Sequence, residues 1–387
     1  MPPSLPYWRL SAFYFSYFAL LGAIIPFWNV YLQARALTAL DIGYLSAIMM
    51  GTKIVSPYLL GWLADTTHQR LGVIRGAALA SLMSFLLIFL GEGFWHLAIV
   101  VASFTFFWNA VIGQYEAVTL GQLGEHYRYY GRIRAWGSVG FIASATGLGY
   151  LFSAISIDNM PIVMSLLLAM IWLSTLLISD SSEDSRAKQG ARLRDVLLRP
   201  EVVGFLGVCL LLQFSHGAYY TFYSLYLLDF GYNSQQVGML WGLAVFAELM
   251  LFLAMPRLMP GIGLYALLIT ALVAATLRWL MIAHVVESFA LLAFAQLFHA
   301  LSFACFHAVA VEWVRRSFGD HQQGQGQALY SASSFGAGGA LGALASGALW
   351  AKDPQLCWYL SALASVLAML IVLRIGTAPA ARAGTAS

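Results

Sequence analysis

Apolar segments recur along this chain with a length and spacing that leave few folds open to it. Continuous apolar stretches predict helices at about 9–33, 40–63, 72–91, 96–122, 131–155, 160–179, 201–229, 234–256, 262–285, 288–313, 325–350 and 356–375. Each is near or above the roughly 20 residues that a helix needs to cross a bilayer. Charge is correspondingly scarce, at 10% of 387 residues, where a soluble domain carries about 25%. So little charge cannot solvate a surface of this size, and hydrocarbon must be part of the chain's solvent. The expected fold class is an all-α membrane protein of twelve transmembrane helices.

The connections are short except for SSEDSRAKQGARLRDVLLRP at 181–200, whose composition cannot bury a core. It divides the helices six and six: an N-terminal bundle over 1–180, a linker over 181–200 and a C-terminal bundle over 201–387. Lys and Arg collect in cytoplasmic loops. Arg9, Arg70, Arg75, Arg128, Arg132, Arg186, Lys188, Arg192, Arg194, Arg199, Arg257, Arg315, Arg316, Arg374 and Arg382 all fall on one side, against Arg35 and Lys352 on the other. Both termini and the linker are therefore expected in the cytoplasm, with the chain a multi-pass, monomeric protein of a bacterial inner membrane.

Other classes of partner find little support. The net charge is only +3 and the basic residues form no nucleic-acid footprint. Cys209, Cys305 and Cys357 are scattered through apolar segments, giving no metal cluster and no disulfide framework. The start, MPPSLPYWRL, lacks a cleavable signal pattern. HExxH, GxSxG, paired CxxC and P-loop motifs are missing, and GAGGALG at 336–342 lies inside an apolar helix rather than after a strand. The sequence thus predicts no enzyme, cofactor or metal. The expected partners are a small-molecule substrate, a proton and the lipid bilayer.

The two halves repeat. A shift of 195 residues lays Gly22, Phe27, Tyr31, Leu32 and Gly43 on Gly217, Phe222, Tyr226, Leu227 and Gly238, and a shift of 193 lays Gly131, Ala135 and Ser138 on Gly324, Ala328 and Ser331. Paired six-helix halves are an architecture of secondary carriers, which bind substrate near the midplane between them.

Ionisable residues left at helix centres are Lys53, Glu116, Glu248, Arg278, His216, His299 and His307, joined by Arg134 if its helix begins near Gly131. Holding a Lys, Arg or Asp at a helix centre costs roughly 2.5–3.5 kcal/mol, so each is expected to face a cavity or a partner. Under the 195-residue shift Lys53 falls on Glu248, opposite charges at equivalent points. His216, Tyr219, Tyr220 and Tyr223 share one helical face, and Trp28 and Asn29 lie beside Pro26. With a histidine in the stripe, these aromatics are expected to wall a cavity. In YGRIRAWGSVGF, Arg132 and Arg134 point about 200° apart. Arg134 is expected inside and Arg132 at the lipid headgroups, with Gly137, Gly140, Ser144 and Gly147 allowing close helix packing behind them.

These residues resemble the major facilitator superfamily. GWLAD (61–65), followed by Arg70 and Arg75, is similar to its cytoplasmic loop signature, with the Gly-Arg-Lys portion degraded, and MPRLMPGIG (255–263) barely keeps it. The resemblance implies two pseudo-symmetric six-helix bundles and makes Asp65, Arg70 and Arg75 gating residues. Glu116 and Arg134, 18 residues apart, resemble the substrate-binding pair of the lactose permease-like branch. Arg278 and His299 fall near that branch's coupling residues, Glu248 lies about a turn from its eighth-helix acid, and Ser302 stands where it has a carboxylate. IPFWNVYLQARALT, YGRIRAWGSV, HGAYYTFYSLY and FHALSFACFHA are similar to the 3-phenylpropionate permease group over most of the chain.

That resemblance implies proton-coupled symport of a small aromatic carboxylate by alternating access. Arg134, Lys53 and Arg278 against Glu116 and Glu248 leave one positive charge for a carboxylate, with Trp28, Asn29, His216, Tyr219, Tyr220 and Tyr223 around its body. Glu116 and Glu248 are the first proton carriers, then His299 and His307. Sugar or nucleoside symport and export of amphipathic compounds remain open on the same fold.

Overall fold

The structure is a computed structural model that describes residues 5–179, 199–318 and 322–375. The linker, 181–200, lies outside the described residues but for its last two positions, and Arg186, Lys188, Arg192, Arg194 and Arg382 lie outside them too. The described residues are all-helical apart from their connections, and ten stretches are long and apolar enough to cross a membrane. One of these, Phe94–Ala154, is 61 residues long and holds two helices, separated by a 3₁₀ turn over Gly124–Tyr129. A further helix, 323–350, is too rich in Gln, Ser and Gly to pass on hydropathy, yet runs on through Gln323–Ser331, Ala332–Gly338 and Gly339–Trp350. The described residues thus hold twelve long helices.

In chain order they are α1 (Tyr7–Ala34), α2 (Ala39–Thr67), α3 (Arg70–Leu90), α4 (Phe94–Leu123), α5 (Tyr130–Ala154), α6 (Met160–Leu176), α7 (Pro200–Asp229), α8 (Ser234–Ile262), α9 (Leu264–Val285), α10 (Phe289–Ser317), α11 (323–350) and α12 (Pro354–Ile375). π-helical turns interrupt α1 at Ile24–Trp28, around Pro26, α10 at Ala300–Cys305 and α11 at Ala332–Gly338.

The repeat extends to the devices that start and stop helices. After α1 the chain turns through Ala36, with φ 61°, and after α7 through Gly231, with φ 84°. These positions are 195 apart. Only the second has the glycine that a left-handed conformation favours. Thr38 then caps α2 in a reciprocal box with Asp41, and Asn233 caps α8 with Gln236 in the same way. Inside the membrane Ser46 donates to Asn29 at 3.5 Å, and the equivalent residues Trp241 and Ser224 bond at 2.9 Å.

Within the first six helices α1 packs on α5 and α6, and α4 on α2 and α3. Within the second six α7 packs on α11 and α12, and α9 on α10 and α12. Two crossings join the sets: α2 on α11, and α5 on α8. Both use glycine. A Cβ on Gly43 would stand 3.0 Å from the Gly347 Cα and from the Ala343 carbonyl oxygen. A Cβ on Gly238 would stand 3.2 Å from the Gly149 Cα and collide with the Ala145 carbonyl oxygen. The partner pairs Ala145/Gly149 and Ala343/Gly347 are 198 apart, so the 193-residue register that begins at Gly131 is not kept along α5 and α11. These crossings, with a bond from Asn29 Nδ2 to the Thr221 carbonyl at 2.8 Å, lie at the end away from Arg70, Arg75, Arg128, Arg132, Arg257, Arg315 and Arg316. We call these the far end and the basic end.

Of the expected glycine stripe, Gly137 and Gly140 press on α1, while Gly147 meets nothing within 4 Å. Gly149, outside that stripe, makes the close contact instead.

Candidate functional site

Arg134 lies one turn inside α5. Its Nε stands 3.6 Å from Glu116 Oε1, and the Tyr130 hydroxyl donates to the same oxygen at 3.3 Å. The guanidinium lies over Phe18 at 4.1 Å and near Tyr14 at 5.5 Å. Gly137 makes room for it: a Cβ there would sit 2.9 Å from Arg134 NH1. Arg132 points out to the exterior and leans on Tyr129 at 5.7 Å. The two arginines diverge as the helical angle requires. Arg134 and Glu116 keep 34% and 36% of their side chains exposed, and Arg134 is within electrostatic reach of Glu248 and His307 in the other bundle. The pair therefore looks across the cleft between the bundles.

The facing wall is a chain of hydrogen bonds. Arg278 is fully buried. Its NH1 approaches His299 Nδ1 at 2.9 Å and its NH2 donates to Gln296 Oε1 at 2.9 Å. His299 Nε2 stands 3.4 Å from Glu248 Oε2. An arginine has only donors, so His299 Nδ1 must accept. Its Nε2 then carries the hydrogen and presents it to Glu248, and the imidazole is neutral in this arrangement. Gln296 Oε1 also accepts from Tyr219 at 2.9 Å, while Gln296 Nε2 and the Tyr223 hydroxyl form a further bond. The Arg278 guanidinium is held over the Tyr219 ring at 3.9 Å and the Trp279 ring at 4.8 Å.

These contacts correct the expected aromatic cavity wall. His216, Tyr219 and Tyr223 are fully buried and packed against Trp241, Trp279 and one another; of that stripe only Tyr220 is partly open. The stripe faces inward, as its spacing requires, but the tryptophans of α8 and α9 fill the space beside it. His216 Nδ1 bonds to the Leu212 carbonyl at 2.9 Å, and its Nε2 has no hydrogen-bond partner among the described residues. Trp28 is likewise sealed, against Tyr31 and Phe85. Asn29 is spent on joining α1 to α7.

The remaining expected residues separate. Lys53 is half-buried on α2, seven residues beyond Ser46 and so on the face that Ser46 turns to Asn29, and among the described residues no acid pairs with it. His307 bonds to the Tyr330 hydroxyl at 2.9 Å and stacks on Phe303, which stacks on His299. Asp65, near the end of α2, pairs with Arg70, the first residue of α3, at 2.6 Å. Arg75 donates to the Thr175 and Ile178 carbonyls at 3.3 and 2.6 Å, holding the end of α6.

The chain that carries these two charge clusters has relatives. A model described as the MFS_1 like family matches residues 7–360. The chain belongs to the MFS_1 like family. It is 25% identical to the "Probable 3-phenylpropionic acid transporter" of Escherichia coli (strain K12) over 94% of this chain and 96% of that protein. It is 26% identical to the "Maltose permease" of Geobacillus stearothermophilus over 69% and 68%. In fold it matches two crystal structures of nucleoside transporter NupG, with TM-scores of 0.87 and 0.84 at 18% and 17% identity. Both cover 95% of this chain, and the match spans 99% and 98% of theirs. The resemblance to major facilitator transporters is thereby established over residues 7–360, and the chain is a multi-pass membrane protein.

In this member of the MFS_1 like family, sequence reasoning passed over Gln296, the hub of the second cluster. Its signal was available: a buried amide one turn before His299 on an apolar helix. A second polar group was also missed. Asn109 Nδ2 donates to Thr52 Oγ1 at 2.9 Å, and Thr52 Oγ1 donates to Thr105 Oγ1 at 3.0 Å. Asn109 lies two turns before Glu116, on the same face of α4.

Proposed function

We propose that the protein is a proton-coupled symporter of a small aromatic carboxylate, working by alternating access in a bacterial inner membrane with its basic end and both termini in the cytoplasm. Bundles over 1–180 and 201–387 would rock about the midplane. Helix contact at the far end then corresponds to a state open to the cytoplasm.

One observation carries the choice of an anion: among the described residues Lys53 has no acid beside it, whereas Arg134 is matched by Glu116 and Glu248 is occupied by His299. A half-buried ammonium in the middle of a membrane helix is costly without a counter-charge, and a substrate carboxylate would supply that charge. Arg134 offers a second ligand by leaving Glu116, and Phe18 and Tyr220, both partly open, supply apolar area. The relative named as a probable 3-phenylpropionic acid transporter supports the aromatic body.

For the proton, Glu248 is favoured over Glu116, His299 and His307. A carboxyl keeps an acceptor oxygen for His299 whether or not it is protonated, so Glu248 can load with the network intact. His299 cannot take a proton at Nδ1 without displacing Arg278. Approach of Arg134 would favour release. Arg278, Tyr219, Tyr223 and His216 then hold His299 rather than touch substrate.

The test is uptake of labelled 3-phenylpropionate, a galactoside and a nucleoside into proteoliposomes under an imposed pH gradient. Stimulation of the acid alone is expected. Transport of a neutral solute instead would move the assignment to a sugar or nucleoside symporter, and indifference to the gradient would defeat symport. Lys53→Gln should weaken binding of 3-phenylpropionate but not that of its neutral amide; equal weakening would remove the ammonium from the anion site.

A further inference from the structure

The turn between α4 and α5 carries a concave site unconnected with the cleft. Arg128, Tyr129 and Arg132 line a hollow of about 410 Å³. Both guanidiniums lean on the Tyr129 ring, at 5.2 and 5.7 Å. Both arginines are exposed, and neither has an acidic partner among the described residues. Glu125, in the same turn, pairs with neither of them. Two like charges held at one ring repel each other, and an anion bound by both would relieve that repulsion.

The ring restrains both side chains, so less conformational freedom is lost when they close on a ligand. The turn itself is anchored, since Gln122 donates to the Ser179 carbonyl at 2.8 Å. Its surroundings belong to a membrane boundary. Tyr127 is 72% exposed and Trp8 is 68% exposed. Trp8 meets Trp136 edge-on at 5.4 Å, and Trp136 Nε1 donates to the Tyr7 hydroxyl at 3.0 Å. Aromatic rings with polar tips gather at headgroup depth. Leu120, exposed one turn above on α4, continues the surface towards hydrocarbon.

We propose that the phosphate of an anionic phospholipid binds between Arg128 and Arg132 at this turn, with its acyl chains along the exterior of α4. Guanidinium groups bind phosphate oxygens bidentately. The ring-restrained pair and the aromatic boundary favour a lipid over a free ion, because a lipid arrives already at that depth. The proposal is independent of which solute is carried.

The test uses the full chain purified in detergent and reads lipid adducts by native mass spectrometry and unfolding temperature, with no transport assay. The probes are dioleoyl-phosphatidylglycerol, dioleoyl-phosphatidylcholine and inorganic phosphate. Phosphatidylglycerol is expected to bind and to raise the unfolding temperature, with phosphatidylcholine weaker. Arg128→Gln or Arg132→Gln alone should weaken binding roughly fivefold and the double variant roughly 25-fold. Both positions are exposed, so the variants should fold as the parent does, and an unchanged unfolding temperature without lipid checks this. Equal phosphatidylglycerol binding by parent and double variant would overturn the site. Equal binding of phosphatidylcholine would overturn its anionic character, and stabilisation by inorganic phosphate matching that by the lipid would overturn the lipid as occupant.

Discussion

Arg278 gives a hydrogen to His299 Nδ1 across 2.9 Å, and that contact decides which imidazole nitrogen keeps its own proton. The Nε2 hydrogen is thereby aimed at Glu248, 3.4 Å away. The histidine acts as a donor to the acid for as long as Arg278 stays in place.

If Glu248 is the group that loads and unloads, Glu248→Gln should mimic its loaded form permanently. The amide can still accept from His299, so unfolding temperature should change little. Gradient-driven accumulation of substrate should fall to background while exchange of substrate across the membrane continues. Retained accumulation would transfer the proton to another group.

Gln296 satisfies Arg278, Tyr219 and Tyr223 at once. Gln296→Leu keeps the volume but strands two buried donors and a hydroxyl. A loss of roughly 2–4 kcal/mol in stability is expected, seen as a lower denaturant midpoint in detergent. A loss under about 0.5 kcal/mol would mean that these groups find other partners.

The far-end crossings have no room for side chains. Gly238→Leu should cost roughly 1–3 kcal/mol of closure and raise the labelling rate of a cysteine introduced at Ser46, which is 6% exposed. The native cysteines are buried and should add little background. Gly113→Leu, where nothing lies within 4 Å, is the control. An unchanged rate at Ser46 in the Gly238 variant would separate that contact from closure.

The two arginines of YGRIRAWG should also differ in consequence. Arg134→Lys should weaken substrate binding about tenfold or more, since an ammonium cannot hold a carboxylate bidentately as a guanidinium does. Arg132→Lys should change it about twofold or less. Equal effects would sink the placement of Arg134 as the interior ligand.

Much of this was legible because hydrocarbon permits few alternatives. Spans, their number and the repeat of Gly43 in Gly238 follow from apolar length and register. The resemblance to the lactose permease-like branch paired Arg134 with Glu116, and the two do stand 3.6 Å apart. What periodicity could not supply was depth. It put His216, Tyr219 and Tyr223 on one face, but whether that face looks onto a cavity depends on Trp241 and Trp279, from helices whose rotation the sequence does not reveal. Gln296 escaped for a related reason: a neutral amide carries no charge to flag it, and its importance lies in three partners from two other helices. Asp65 matched a loop motif, yet the motif gives no sign of which neighbour it grips; here that neighbour is Arg70.

The crossings of Gly43 on Gly347 and of Gly238 on Gly149 have a kinetic meaning. Glycine and alanine have no rotamers to freeze, so surfaces built from them can part and meet without side chains searching for their places. Separation at that end then gains little disorder, and its temperature dependence should be shallow. The timing of a transport cycle would rest with the charged residues at mid-depth, which must exchange partners before these smooth backbones can slide apart.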